Sequence, residues 1–585
     1  MKDFLKYTLA TITGLILTGV LLFFFLFAAI LGIMATSDTE VTVKESSVFA
    51  LKLNGTLNER AVDLPFSNLL PTEGNSIGLD DIINAIKKAK KHPKIKGIYI
   101  ETNKLSTSFA SLEAIRNALI DFKESGKFII SYADQYTHGA YYLASISDEI
   151  HLNPSGGLYW AGLSAQPIFY TNLLKNIGVD MQIFKVGTYK SAVEPYTEKE
   201  MSQANKEQVS VFLNDIWSHI VENVSTARNI TTENLQAYAD QMLLFQPTEV
   251  SLNNHLVDRL SYKTEVESAI KEKLDGKEPN FISLKKMKNV IIKNDDKIKS
   301  DGNVAVFYAE GAIVDSGSKY ETEIVGNAVV EGLKKLEKND RVKAVVLRVN
   351  SPGGSAYASE QIWKAVTDLK AKKPVIISMG DYAASGGYYI SAAADYIFAE
   401  PTTLTGSIGI FAMIPSFEKI ATKVGLNFDV VKTNKFSDFG SIYRSFNPEE
   451  KQLLQTYIES GYDLFVKRCA EGRNMSDEAI RKIAEGRVWT GKRALELGLV
   501  NELGGLDKAI AFAANKAGLQ NYKVKDYPKQ VDFFEQLMDL SAQDMIHTYL
   551  MSSKYKTIIQ QAERIKQLTE ESSLQARIPY VLNIQ

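Results

Sequence analysis

The 585-residue chain is poor in the residues that most often cross-link proteins, bind metals or move protons. It has one cysteine, Cys469, and six histidines. A single cysteine excludes an internal disulfide and the cysteine clusters of structural zinc and iron–sulfur centres. Cys469 itself reads as a small buried side chain. The histidines are His92, His138, His151, His219, His255 and His547, so none lies between positions 256 and 546. An excess of charge of either sign is also missing. The formal net charge is -2, with acids and bases mixed. No long basic stripe offers a nucleic-acid surface, and no nucleic acid is expected as a partner.

Long apolar runs are absent with one exception. Tyr7 to Ser37 is 31 residues without a charge. A bilayer-spanning helix needs about 20 apolar residues, whereas the apolar region of a cleaved signal peptide has about 7–15. A retained N-terminal transmembrane anchor is therefore expected over residues 1–40. Lys2 and Lys6 precede the run against Asp3, and Asp38 and Glu40 follow it. This favours an N-terminus inside and a body outside the membrane.

The remainder repeats itself. "IKGIYIETN" from Ile95 aligns with "VKAVVLRVN" from Val342, an offset of 247 residues. The same offset aligns "FIISYADQYTHGAYYLASISDEIHLNP" with "VIISMGDYAASGGYYISAAADYIFAEP". Farther on, "HLVDRL" from His255 pairs with "GLVNEL" from Gly498, where the offset has slipped to 243. This is a tandem duplication of large units, not a short-repeat solenoid. Within each unit, runs such as "AVVLRV" and "PVIISMG" alternate with helical patterns such as "ASEQIWKAVTDLKA". Helical patterns also follow Pro448. The alternation predicts α/β layers on a largely parallel sheet. The expected divisions are the anchor 1–40, a first α/β repeat 41–295, a second 296–520, and a mainly helical extension 521–585.

Three glycine-rich turns mark the second unit. "NSPGGS", Asn350 to Ser355, joins a strand to a helix, and its exposed amides could hold an oxyanion. Such a turn also serves purely structural ends. "AASGGYY" carries Ser385 where a helix can begin, a position at which serine is commonly a cap. "LTGSIG" carries Ser407. The first unit lacks all three: "NSPGG" faces "NKLST", Ser385 faces His138 and Ser407 faces Trp160. A purely structural role would be needed in both copies, so the second unit reads as the one holding a nucleophile.

A histidine base local to Ser385 is excluded by the histidine-free stretch, though His547 or a first-unit histidine could fold back. The other choice is lysine, whose ordinary pKa near 10.4 must be lowered by desolvation to leave neutral amine at pH 7. "VGTYKSAVEP" offers Lys190 in an uncharged neighbourhood, and its second-unit counterpart is Ser437. The decay here runs the other way. Two incomplete sites could make one if the units pack side by side. An ordinary surface charge is the competing reading of Lys190.

With "VGTYKSAVEP", "SPGGS", "AASGGYY" and "LTGSIG" in this order after an apolar N-terminus, the chain resembles the long, duplicated branch of the signal peptide peptidase A family. The likeness covers nearly the whole chain. It implies a membrane-anchored serine protease with tandem Clp-protease/crotonase-like domains. It further implies Ser385 as nucleophile, Lys190 as general base and Ser407 as the group orienting the amine. Gly353 and Gly354 then match the oxyanion loop, one of their amides pairing with that of Ser385. The resemblance also implies no cofactor, remnant hydrophobic signal peptides as substrates, a homotetramer with eight α/β domains, and a periplasmic body on the inner membrane. Rival readings are a crotonase-like acyl-CoA enzyme, a non-catalytic membrane scaffold, and a Ser/Lys protease for other membrane-protein segments.

Overall fold

The computed structural model describes residues 2–37, 40–61, 76–292, 300–317, 322–529 and 574–577. Residues Lys2–Ser37 form one helix. Among the described residues no helix is long and apolar enough to cross a membrane, so the anchor remains a proposal. The helices expected between Ala542 and Leu568 lie outside the described residues. The described parts of the C-terminal extension are two strands, Tyr522–Tyr527 and Leu574–Arg577.

Each repeat builds its own largely parallel sheet. In the first, the strands run in the order Ser76–Gly78, Ser47–Asn58, Ile95–Ser106, Phe128–Tyr136, Glu149–Leu158 and Arg259–Leu260, all parallel. In the second, Gly302–Glu310, Val342–Ser351 and Val375–Ala384 pair in parallel, and Val375–Ala384 takes both Tyr396–Ala399 and Leu404–Gly406 on its other side. The duplication is visible helix by helix. Leu79–Lys91 and Gly326–Lys338 are both 13 residues long and begin 247 positions apart. Phe109–Lys123 and Ala356–Lys370 are both 15 residues long at the same offset. The short strands Arg259–Leu260 and Glu502–Leu503 stand 243 apart, matching the slip in the sequence.

Local chemistry sets these elements. Val342–Ser351 is almost entirely buried, as a strand covered by helices on both faces must be, which is why it reads as a near-continuous apolar run. The helix Pro448–Arg473 starts with a capping box between Asn447 and Glu450, has proline in its first turn, and ends at Asn474 in the left-handed region. Each feature satisfies backbone groups that the helix ends leave unpaired, or tolerates their absence. Cys469 is buried on this helix in the second unit's core.

Two features among the contacts that join the units stand out. A third sheet carries the first-unit strand Asp180–Lys185 antiparallel to the second-unit strand Phe411–Ser416, with Lys185 opposite Phe411. A buried polar cluster then locks the units together. Glu59 pairs with Arg348 at 2.9 Å, both nearly fully buried, and Asp381 accepts hydrogen bonds from the Ser111 amide and hydroxyl. Removing one partner of a buried ion pair costs about 3–5 kcal/mol, so the arrangement of the units is well specified.

Candidate active site

The crossing strand Asp180–Lys185 delivers Lys190. Five residues beyond its end, the turn containing Lys190 lies against Glu485–Arg487 of the second unit. The Tyr189 amide donates to the Glu485 carbonyl at 2.9 Å, and the Val186 amide to the Ile410 carbonyl at 3.1 Å. Gln208 braces the turn from the long helix Gln203–Arg228, donating to the Tyr189 carbonyl at 3.0 Å and to Ser191 Oγ at 2.9 Å, while its own oxygen accepts from the Val488 amide. Arg487 packs over the rings of Tyr189 and Trp489 and pairs with Glu207 at 2.9 Å.

The lysine is wholly enclosed. Lys190 is 1% exposed, and burial drives its amine well below the ordinary lysine range. Its Nζ lies 2.8 Å from Ser385 Oγ, 3.2 Å from Ser407 Oγ and 3.3 Å from the Ser407 carbonyl oxygen. These partners are hydroxyls and a carbonyl. Neutral groups accommodate a neutral amine and give little compensation to an ammonium ion. Among the described residues, the groups within hydrogen-bond distance of Ser385 Oγ are Lys190 Nζ and the Gly409 carbonyl oxygen, and no histidine is one of them.

Ser385 sits at the corner between the strand Val375–Ala384 and the helix Gly386–Ser391, with φ 56° and ψ -112°. A non-glycine residue in such a region is strained, and the strain is held by the surrounding structure. Here the Ser385 amide donates to the Gly406 carbonyl at 2.8 Å, and Ser407, itself at φ 52°, donates its amide to Arg487 at 2.7 Å. The helix cap that a serine here could have supplied is not made: the Ser385 side chain makes no cap bond. The amide bond to Gly406 also corrects one expectation. Ser385's own N–H is committed and does not face the glycine loop as an oxyanion donor.

The glycine loop lies against the other side of the same corner. Gly353 has φ +98° and Gly354 φ +159°, and a Cβ on either would come 2.0 Å from a backbone carbonyl oxygen, that of Ala576 or of Ile313. Only glycine fits. The Gly386 nitrogen lies 2.9 Å from the place a Gly353 Cβ would take. As the first residue of its helix, Gly386 has an amide with no intrahelical acceptor.

All five residues singled out in the sequence therefore belong to one neighbourhood. The reading of Lys190 as a surface charge is overturned by its burial. His138, the counterpart of Ser385, is buried instead among Tyr159, Trp160 and Trp217, and its Nε2 accepts from the Ala161 amide at 3.0 Å. The first unit has filled its copy of the site with aromatic core. Sequence reasoning did not find the supporting residues Gln208 and Gly486. Gly486, at φ +77°, would place a Cβ within 2.7–2.8 Å of the Lys190 backbone and Cβ. Its only sequence signal is a glycine between charges in "AEGRVW".

Residues 121–277 and 367–520 match the family described as Peptidase family S49, and residues 303–403 match the Clp protease family. The chain belongs to peptidase family S49. By that membership it is a serine protease, built from two Clp-protease-like α/β domains. Among its relatives, "Protease 4" of Haemophilus influenzae is 38% identical over 74% of this chain and 71% of its own length. "Protease 4" of Salmonella typhi is 37% identical over 79% of this chain and 75% of its own. A plant relative, "Serine protease SPPA, chloroplastic" of Arabidopsis thaliana, is 32% identical over 82% of this chain and 70% of its own.

Proposed function

We propose that this S49 peptidase cleaves peptide bonds with a Ser385–Lys190 dyad shared between its two units, and that its substrates are apolar, extended peptides such as signal peptides left in the membrane after preprotein cleavage. The observation that carries the reading is the 2.8 Å approach of a fully buried lysine amine to a strained serine. Neutral Lys190 takes the proton of Ser385 as Oγ attacks the scissile carbonyl to form the tetrahedral intermediate, whose collapse with loss of the amine leaves an acyl-enzyme. Ser407 Oγ orients the amine. The developing negative charge is held by the Gly386 amide and by the glycine loop, in which the Gly353 N–H already donates to Ser351 Oγ at 3.2 Å and Gly354 is left to serve. Lys190 then returns the proton to the leaving amine and activates water for deacylation. No cofactor enters this scheme.

The apolar N-terminal helix would anchor the chain in the inner membrane by lipid contact, with the body on the periplasmic side, where released signal peptides are met. Assembly into a homotetramer belongs to the same proposal. The test is hydrolysis of an apolar signal-peptide-like substrate followed by mass spectrometry of the products, with wild type, Ser385→Ala and Lys190→Ala in parallel. Each variant should lose about 10⁴-fold or more in kcat. Equal cleavage by all three would discard the dyad.

A further inference from the structure

Lys190 is held by a turn, and the turn is held by a chain of buried polar side chains that the catalytic scheme does not use. Glu194 begins it, four residues after the lysine, and is 3% exposed. Among the described residues its hydrogen-bond partners are neutral. It accepts from the Ser202 amide at 3.1 Å, the Ser202 hydroxyl at 2.6 Å and the Asn205 side-chain amide at 2.8 Å. Asn205 Oδ1 in turn accepts from Gln208 Nε2 at 3.2 Å. Asn205 and Gln208 are three positions apart on the helix Gln203–Arg228 and share one of its faces. Both are almost wholly buried.

A buried carboxylate matched only by neutral donors is expensive, and a neutral side chain of the same shape would cost less. What a carboxylate has that an amide lacks is that both of its oxygens accept and neither donates. Glu194 therefore fixes the direction of Asn205, nitrogen toward the carboxylate and oxygen toward Gln208. That fixes Gln208 as well. Its nitrogen faces the Tyr189 carbonyl and Ser191 Oγ, on the two residues that flank Lys190, and its oxygen accepts from the Val488 amide at 3.2 Å. Val488 stands opposite Gly406 in the sheet, and the Gly406 carbonyl takes the Ser385 amide. Val488 also follows Arg487, whose carbonyl takes the Ser407 amide. One carboxamide thus grips the turn of the base at one end and the frame of both serines at the other. Reversed, it would set donor against donor at Val488 and acceptor against acceptor at Tyr189.

We propose that Glu194 and Asn205 are positioning residues for the proton transfer: they lock the direction of Gln208, and Gln208 sets the distance from Lys190 to Ser385 and Ser407. This rests on the protease reading above.

The test is a swap in the full-length chain. Glu194→Gln lets the relay run in either direction, and Asn205→Asp sets two acceptors face to face. Each single variant should lower kcat about 100-fold with KM unchanged, since the dyad is displaced and peptide binding is not. The double variant Glu194→Gln/Asn205→Asp keeps the charge and moves the acceptor-only group one step along the relay. The introduced aspartate accepts from both neighbours, Gln208 regains its direction, and kcat should return to within about threefold of wild type. Labelling of Ser385 by a fluorophosphonate should slow in each single variant and recover in the double, with circular dichroism native throughout. A folded single variant with wild-type kcat would overturn the proposal. So would a folded double variant no more active than the singles, with Ser385→Ala inactive and the protease reading left standing. Where a single variant does not fold, the double decides alone: kcat near wild type supports the relay, and a native fold with kcat about 100-fold down overturns it. Absence of cleavage by wild type would count against the protease reading, and the labelling rates would still decide the role of the relay.

Discussion

At the scale of single residues, Lys190 trades stability for chemistry. Burial lowers its pKa, so the folded chain holds a neutral amine where the unfolded chain holds an ammonium ion. Between the lowered value and the ordinary one near 10.4, the unfolded state binds more protons. Stability therefore rises with pH across that window. In the proposed mechanism the same deprotonation makes the base competent, so kcat/KM should rise with pH through the lowered pKa and then level off. Lys190→Met keeps the apolar stem and removes the titrating group. It should abolish hydrolysis while raising Tm at pH 7, by about 2–4 °C for each kcal/mol recovered, and the gain should shrink toward pH 10. Calorimetry at pH 7 and pH 9.5 checks this. A variant less stable than wild type at pH 7 would mean that the amine's contacts with Ser385 and Ser407 outweigh its desolvation.

At the scale of elements, the site depends on turns that hold Lys190 from outside the catalytic set. Glu485–Arg487 is the main one. Gly486 donates its amide to the Ile408 carbonyl at 2.8 Å, and its missing side chain lets the Lys190 backbone lie against it. Gly486→Ala adds a methyl at 2.7–2.8 Å from that backbone and strains a positive φ. The dyad should shift by a fraction of an ångström or more, with kcat falling about 100-fold. Circular dichroism should stay native, and reaction of Ser385 with a fluorophosphonate should slow in parallel. Unchanged kcat would mean that the turn can move without moving the lysine. This explains how the site was partly legible in the sequence. Ser385, Ser407, Gly353 and Gly354 stood out because one repeat kept them and the other lost them. Lys190 stood out because the loss was reversed. Gly486 and Gln208 act through contacts between the units, and nothing in the local spacing of "AEGRVW" or of a helix announces a partner 280 or more residues away. The tail strand was illegible for a similar reason. Leu574–Arg577 has no alternation long enough to read, and its pairing is set by the strands Gly353–Ser355 and Phe411–Ser416 that flank it.

At the scale of the whole molecule, the duplication is incomplete in a way that points to assembly. Within one chain, Asp180–Lys185 pairs with Phe411–Ser416. The 247-residue offset relates these strands to residues 427–432 and 164–169. Among the described residues, neither of those counterparts is in a strand. Both also present apolar side chains to solvent: Phe428 is 50% exposed, Val431 99% and Ile168 61%. In the proposed assembly, the exposed segment of the second unit would meet the exposed segment of the first unit in a neighbouring copy. The two surfaces differ, so pairing the one segment with the other segment of the next copy is a head-to-tail contact, which closes into a ring when the rotation permits. The homotetramer proposed above would be one such ring. Replacing Phe428 and Val431 together by aspartate should convert the detergent-solubilised protein from a ring to single chains in sedimentation velocity. Because Lys190 and Ser385 meet within one chain, those single chains should still react with a fluorophosphonate at Ser385. Persistence of the assembled species would place the ring contact elsewhere. Loss of serine reactivity together with assembly would show that the neighbouring copy, and not the chain alone, holds the dyad in place.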